Sequence, residues 1–326
     1  MKELESDDLE DFTRERTALE RIQQLRHNHL INFVSSFEKG DTTSRRFYFL
    51  FPWASGGNLK GFWSDPAVRS HERRSPTMMR WALSQIKGLT SGVAVLHGAE
   101  ATSDENGRHG DLRPENILLF RDDPARHGSW GTLQITDAGL ARFHQQITRK
   151  RLAGTSTHGG SIEYAPPEGN HEGEKRGRRY DMWSLGCILL EFAVWILGGI
   201  EDVNEFRTER ASISGLSRDR RENPPFYRTK RDDSYRRHPD VEDRMRAIRR
   251  DRSCPPCLQD LLKVIEDGLL QIEENKRFYA QELDQRMEEI LERCNVDSYL
   301  CVRSDQGERR GFSFSDVLRG QRTRRR

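Results

Sequence analysis

Residues 109–120 read HGDLRPENILLF and put three chemically capable side chains on one short stretch. Asp111 is a carboxylate that can take a proton from a hydroxyl nucleophile. Arg113 carries a permanent positive charge that can offset charge on a transferring phosphoryl group. Asn116 offers an amide oxygen to a divalent cation. An acid, a cation and an amide on one loop suit phosphoryl transfer, where positioning and electrostatics do nearly all the work. Such chemistry needs a second carboxylate for the metal. Asp137 in ITDAGLA supplies one at the end of an apolar strand, and Gly139 lets the chain turn there.

Positioning these groups requires a scaffold, and the apolar pattern predicts one. Phe12, Leu19, Ile22 and Leu25 recur at helical spacing over residues 8–26. INFVSSF (31–37) and FYFLF (47–51) read as two strands joined by a polar hairpin loop, EKGDTTSRR. PWASGGNLKGFW then breaks the pattern with Pro and Gly. Leu83, Ile86, Leu89 and Val93 predict a long helix over 79–96. ILLF (117–120) and LQIT (133–136) are short strands flanking RDDPARHGSWG. No periodicity marks 140–168. Helices are expected at 181–197, 257–270 and 279–294, while 201–253 is Arg- and Asp-rich and reads as an irregular surface insertion. No internal repeat is visible.

The chain has 326 residues, of which 34% are hydrophobic and 33% charged, so a packed core under a heavily charged surface is expected. With 54 basic against 52 acidic residues, the balance does not favour nucleic acid or a membrane as the main partner. The basic runs 175–179 and 319–326 read as solvated surface. Cys254 and Cys257 form a CPPC with no second pair at zinc spacing, which reads as a Pro-rich turn between helices. The opening MKELESDDLEDF is no secretory signal. WSLGCILLEFAVWILGGI (183–200) is barely long enough to span a bilayer and carries Glu191, so it reads as a buried core helix. An intracellular protein, cytoplasmic or nuclear, is the expectation.

Six motifs in order resemble the protein kinase catalytic core over about residues 1–295. HGDLRPEN resembles the catalytic loop H-R-D-L-x-x-x-N, and DAG stands where D-F-G is expected. YAPPE (164–168) resembles the end of an activation segment, and DMWSLGCILLEF (181–192) the central helix of the larger lobe. NKRFYAQEL (275–283) resembles the late Arg-containing motif, and FPWASGGNL (51–59) the hinge. The implied fold is α+β, a two-lobe kinase-like fold with an incomplete N-lobe and a mainly helical C-lobe. Its expected parts are a partial N-lobe at 1–54, a C-lobe at 55–295 and a basic, disordered tail at 296–326.

On that resemblance Asp111 orients the substrate hydroxyl and Arg113, replacing the usual Lys, sits by the γ-phosphate. Asn116 and Asp137 hold Mg²⁺. Phe51 is the gatekeeper, and the Pro52 C=O and Ala54 N–H receive adenine; proline lacks only an N–H. Ser161 stands where a Ser/Thr kinase places the hydroxyl that touches the catalytic Asp. His109, Glu168, Asp181 and Arg277 are structural, Glu168 pairing with Arg277 and Asp181 capping the catalytic loop. The implied partners are ATP and a protein substrate, and a monomer is expected.

Three departures stand out. Gly110 replaces the Arg that reads a phosphorylated activation loop, which implies a kinase not gated that way, although Thr148, Thr155, Ser156 and Thr157 are available hydroxyls. HGD also resembles aminoglycoside- and choline-kinase-type enzymes, but these lack the PE-terminated segment and the D-x-W-S helix. Ala138 replaces the Phe whose packing sets active and inactive states, so a neighbour must fill its space. No Gly-rich loop precedes the hinge, so the chain resembles one cut just before the nucleotide-binding lysine. Lys2 is the candidate for that lysine, with Glu15 as its partner ahead of Glu20. A Ser/Thr protein kinase is the leading reading; a pseudokinase acting as a binding module and a small-molecule kinase are the alternatives.

Overall fold

The computed structural model describes residues 1–4, 6, 8–40, 45–68, 70–99, 108–121, 130–137, 162–170, 177–212 and 224–300. It divides into two compact units, Met1–Phe62 with Gly88–Gly160 and Trp63–Lys87 with Ser161–Arg326. The loop 109–116 therefore groups with residues 1–62, whereas the motif reading drew its boundary after residue 54.

In the first unit, strands β1 (Lys2–Glu3), β2 (Ser35–Lys39) and β3 (Arg46–Leu50) form an antiparallel sheet in the order β1-β3-β2. Helix α1 (Leu9–Gln24) starts at Asp8, whose side chain accepts the Glu10 N–H at 2.8 Å, a standard N-cap. Its buried row is Phe12, Glu15, Leu19 and Ile22, one face of a 3.6-residue period. Phe12 stacks on Phe47 with ring centroids 4.3 Å apart, and Leu4, Leu19, Phe33 and Phe49 complete the core. The expected strand over 31–37 begins only at Ser35. The Ile31 N–H donates instead to the Ile135 carbonyl at 2.8 Å, and Leu30 bridges to Ile135, so this segment is tied to a different sheet.

That second sheet is the hairpin of β4 (Ile117–Phe120) and β5 (Thr132–Ile135), in register Ile117↔Ile135 to Phe120↔Thr132. His29, buried, holds β5 through Nδ1 to the Leu133 carbonyl at 2.7 Å. Gly88 on helix α2 (Pro76–Ala99) makes room for it, since a Cβ there would lie 2.0 Å from His29 Nε2. The hinge segment is fastened to β4 as well: the Gly56 N–H donates to Leu119 O at 2.9 Å and the Leu119 N–H to Gly57 O at 2.8 Å.

In the second unit, α3 (Arg179–Gly198) buries every residue from Tyr180 to Leu197. It is the one helix among the described residues long and apolar enough to cross a membrane, and 94% of its apolar window lies inside the protein, as expected of a core helix. The segment after it departs from expectation. Residues 201–253 are neither irregular nor superficial where described: α4 (Ile200–Ala211), a hairpin of β6 (Tyr227–Thr229) and β7 (Tyr235–Arg237), and α5 (Pro239–Arg250) bury Phe206, Phe226, Tyr227, Arg210 and Arg244. Arginine-rich composition hid this core, because two of the arginines are themselves buried.

Helices α6 (Pro256–Val264), α7 (Ala280–Arg293) and α8 (Asp297–Leu300) follow, so the expected disordered tail gives way to helix over its first residues, with Tyr299 and Leu300 buried. Residues 301–326 lie outside the described set. CPPC turns the chain from α5 into α6, with Pro256 opening the latter, and Cys187, Cys254, Cys257 and Cys294 are all free and buried.

Candidate active site

The site grows from the ends of the β4–β5 hairpin. Its register brings Asn116 opposite Thr136, whose N–H donates to Asn116 O at 2.9 Å, so Asp137 leaves the hairpin beside the loop that enters it. Buried His109 pins that loop. Its Nε2 stands 2.7 Å from the Thr136 carbonyl, and its Nδ1 accepts the Asp111 N–H at 3.2 Å. One nitrogen must donate and the other accept, which assigns the neutral tautomer with hydrogen on Nε2. Leu112, also buried, anchors the next residue, and a 3-10 turn Pro114–Asn116 delivers the chain into β4.

Two positions have left-handed backbones. Gly110 has φ 75° and Asp137 φ 63°. An L side chain there costs about 1–2 kcal/mol, which Gly escapes and Asp tolerates better than most residues. Gly110 thus suits the turn that the loop takes.

Asn116 organises Asp111. Its Nδ2 donates to Asp111 O at 2.8 Å and to Asp111 Oδ2 at 3.0 Å, which fixes the amide orientation. Among the described residues, Asp111 Oδ1, Asn116 Oδ1 and the second oxygen of Asp137 receive no hydrogen bond, so three hard oxygens are left for a ligand. The first oxygen of Asp137 binds the Lys2 ammonium at 2.9 Å, both side chains being about one-third exposed (34% and 28%). Arg113 donates through Nε to Glu115 Oε2 at 3.0 Å, and Lys60 reaches Glu115 Oε1 at 2.7 Å. Burial raises the Glu115 pKa, but these two cationic donors outweigh it and hold the carboxyl below its ordinary range.

The expected Lys2–Glu15 pair is not formed. Glu15 sits in the apolar row of α1 at 3% exposure, and its Oε2 has no hydrogen-bond partner among the described residues. Burial, opposed by Lys2 and reinforced by Asp137 and Asp11, raises its pKa to about 7. A carboxyl half-protonated near neutrality attracts an ammonium weakly, and Lys2 binds Asp137 instead. Glu20, the weaker candidate, is exposed.

Phe51 packs on the sheet core, 6.1 Å from Phe33 in an edge contact. Pro52 and Trp53 are exposed, and Ala54 is half-buried. Neither the Pro52 carbonyl nor the Ala54 N–H is engaged among the described residues, while the Ala54 carbonyl accepts the Gly57 N–H at 3.1 Å.

In the second unit Glu168 and Arg277 form a bidentate pair at 2.5 and 2.9 Å. The remaining Arg277 donors reach the carbonyls of Gln271, Arg179 and Ile272, so all five N–H groups of this fully buried guanidinium are satisfied. Asp181 lies fully buried in the first turn of α3. Ser161, Ala138 and the hydroxyls at 148–157 fall outside the described residues. One cluster went unforeseen. Arg210, sandwiched between Phe206 and Phe226 at 4.2 and 3.9 Å, binds buried Glu163 at 3.0 Å and buried Glu191 at 3.3 Å. Tyr164 donates to Glu191 at 2.8 Å. The signal was present: Glu191 in an otherwise apolar helix demands a buried partner.

A protein kinase domain matches residues 1–287, and the chain belongs to that family. It is 29% identical over 189 residues to a probable serine/threonine-protein kinase, fhkD, of Dictyostelium discoideum, an alignment covering 53% of this chain and 21% of that one. A calcium/calmodulin-dependent protein kinase of Metarhizium anisopliae is 31% identical over 52% of this chain and 37% of its own length. The serine/threonine-protein kinase chk-1 of Caenorhabditis briggsae is 28% identical over 52% and 29%. The aligned regions thus span about a fifth to two fifths of these relatives. The α+β kinase architecture, helical in its larger part, follows from the family.

Proposed function

We propose that this chain transfers the γ-phosphoryl group of ATP to a serine or threonine hydroxyl of a protein, inside the cell. The observation that carries this reading is the convergence of Asp111, Asn116 and Asp137 at one end of the β4–β5 hairpin. Asp111 takes the hydroxyl proton on Oδ1, the oxygen that Asn116 leaves open. Asn116 fixes the carboxylate rotamer, and His109 fixes the loop beneath it. Arg113, held through Nε by Glu115, presents positive charge to the transferring group.

The donor set fits Mg²⁺. An amide oxygen and one carboxylate oxygen are the hard ligands this ion takes from protein, the rest coming from phosphates and water. No cluster of three or more acidic, His or Cys ligands is found among the described residues, in keeping with such a shared site. Mg²⁺, when bound, neutralises charge on the phosphate oxygens. The Pro52 carbonyl and Ala54 N–H offer adenine one acceptor and one donor. Ser/Thr specificity is favoured by the relatives' names, by PEN after Arg113 and by Ser161.

The test is transfer of labelled γ-phosphate to protein, with phosphoamino-acid analysis. Label on Ser or Thr that Asp111→Asn abolishes while ATP binding persists is the expected result. Transfer indifferent to Asp111→Asn, or label found on amino alcohols or sugars alone, overturns it. One observation favours a second reading as a pseudokinase acting as a binding module: Lys2 occupies Asp137 while Glu15 Oε2 has no hydrogen-bond partner among the described residues. Partner binding unaffected by Asp111→Asn, with no turnover, would establish that.

A further inference from the structure

Arg178 and Arg179 close a basic run that reads as solvated surface, yet both are half-buried. Arg178 is the N-cap of α3 and Arg179 its first residue. The Nε atom of each is enclosed and has no acceptor among the described residues, which leaves the Nη edges as the sides a ligand can reach. Arg179 lies over the Tyr279 ring, with Cζ 4.0 Å from its centroid, and Tyr279 is 55% exposed. The Arg179 carbonyl accepts Arg277 Nη1 at 3.2 Å, so the backbone beneath the stack is fixed as well.

Other arginines that lie over rings in this protein hold carboxylates. Arg210, between Phe206 and Phe226, binds Glu163 and Glu191, and Arg244, over Phe206, binds Glu209. Arg277, over Trp183, binds Glu168, and Arg293, over Tyr299, binds Asp260. In such pairs the ring fixes the plane of the fork, and the edge of the fork meets the oxygens. Arg179 has the ring without the carboxylate: among the described residues neither it nor Arg178 forms an ion pair. The acids nearby do not fill that role. Glu168 gives both oxygens to Arg277, and Asp181 is fully buried. Glu274 packs against Gly177, where a Cβ would collide with its Oε1, and pairs with neither arginine.

We propose that Arg178, Arg179 and Tyr279 form a binding site for a dianionic phosphate group. Two adjacent cations match a dianion, and the three terminal oxygens of a phosphate can accept from more than one fork. Consecutive Cα atoms lie about 3.8 Å apart, so one phosphate is within reach of both long side chains. The ring and the enclosed Nε atoms already restrict these side chains, so little rotamer freedom is left to lose on binding. The group comes either from a phosphorylated side chain of a protein or from free phosphate. The site uses none of the transfer residues, and the inference does not depend on the kinase reading.

Isothermal titration calorimetry on the full chain tests this, with a phosphoserine peptide, its unphosphorylated twin and inorganic phosphate as probes. Phosphate-bearing probes should bind, and Arg178→Gln and Arg179→Gln should each weaken that binding about tenfold. Tyr279→Leu keeps apolar bulk but removes the ring, and should weaken it severalfold. Glu274→Gln removes a nearby negative charge and should strengthen it. A phosphopeptide that binds more tightly than inorganic phosphate assigns the site to phosphorylated protein; parity assigns it to free phosphate. Affinity unchanged in both arginine variants, with circular dichroism confirming their fold, overturns the proposal. So does an unphosphorylated peptide that binds as tightly as its phosphorylated twin, or no binding of either phosphate probe. Where an arginine variant loses its fold, Glu274→Gln decides: affinity unchanged or lowered there counts against the site.

Discussion

Lys2 Nζ and Asp137 Oδ1 lie 2.9 Å apart although they stand 135 positions apart in the sequence, so one strand end locks onto the exit of a distant hairpin. The bond occupies one of the oxygens proposed above for Mg²⁺. Removing the ammonium should free that oxygen and strip a repelling charge. Lys2→Met is therefore expected to bind Mn²⁺ severalfold more tightly in the absence of nucleotide, read by electron paramagnetic resonance. Unchanged or weaker Mn²⁺ binding would show that the bond does not compete with the metal.

Glu15 should leave a mark on stability against pH. Its folded pKa of about 7 lies above the ordinary 4.5, so the folded chain binds more protons between those values. Stability from this group is full below about pH 4.5 and is lost as pH rises towards 7, by up to about 3 kcal/mol. Glu191, raised to about 7 chiefly by burial, slopes the same way. His238, lowered to about 3 by burial and neighbouring arginines, slopes the opposite way below pH 6.5. The informative quantity is thus the difference between Glu15→Gln and wild type. The variant should gain relative stability from pH 5 to 8 in urea titrations, and a flat difference would refute the assignment.

How much of this was legible in the sequence depended on burial. The hairpin was readable because Asp111, Asn116 and Asp137 flank two short apolar runs, ILLF and LQIT, bounded by polar loops. Glu15 was readable over Glu20 in principle, since it falls in phase with Phe12, Leu19 and Ile22, while Glu20 points to solvent. The pairing of Lys2 was not, because it depends on which of two carboxyls is desolvated. Residues 201–253 misled for a related reason. Arg210 and Arg244 count as surface by type, yet Phe206 stacks on both and Glu163, Glu191 and Glu209 neutralise them.

Gly110 offers a sharper test of backbone against side chain. With φ at 75°, Gly110→Ala should cost about 1–2 kcal/mol. A larger cost is expected of a β-branched residue and a smaller one of Asn, which tolerates this region. Thermal denaturation of the three variants should rank Asn, Ala, Val in falling stability. A ranking that follows side-chain size in another order would place the constraint elsewhere.

The Arg210 cluster predicts strong coupling. Arg210→Met retains bulk between the two phenylalanines but leaves Glu163 and Glu191 buried with less compensation, at a cost of about 3–5 kcal/mol. Adding Glu191→Gln removes one carboxyl that would otherwise be left buried without its cation and should recover part of that loss. Chemical denaturation of the single and double variants gives the coupling energy. Strict additivity would mean that the two groups do not interact.

The exposure of Trp53 has a practical outcome. It lies 82% open between Pro52 and Ala54, whereas Trp130 is half-buried and Trp63, Trp81, Trp183 and Trp195 are buried. Its emission should be red-shifted and the most accessible to iodide, so a molecule settling along that segment would shield it. On the proposed reading the protein thus carries its own fluorescent gauge of occupancy, placed between the two backbone groups proposed to receive adenine.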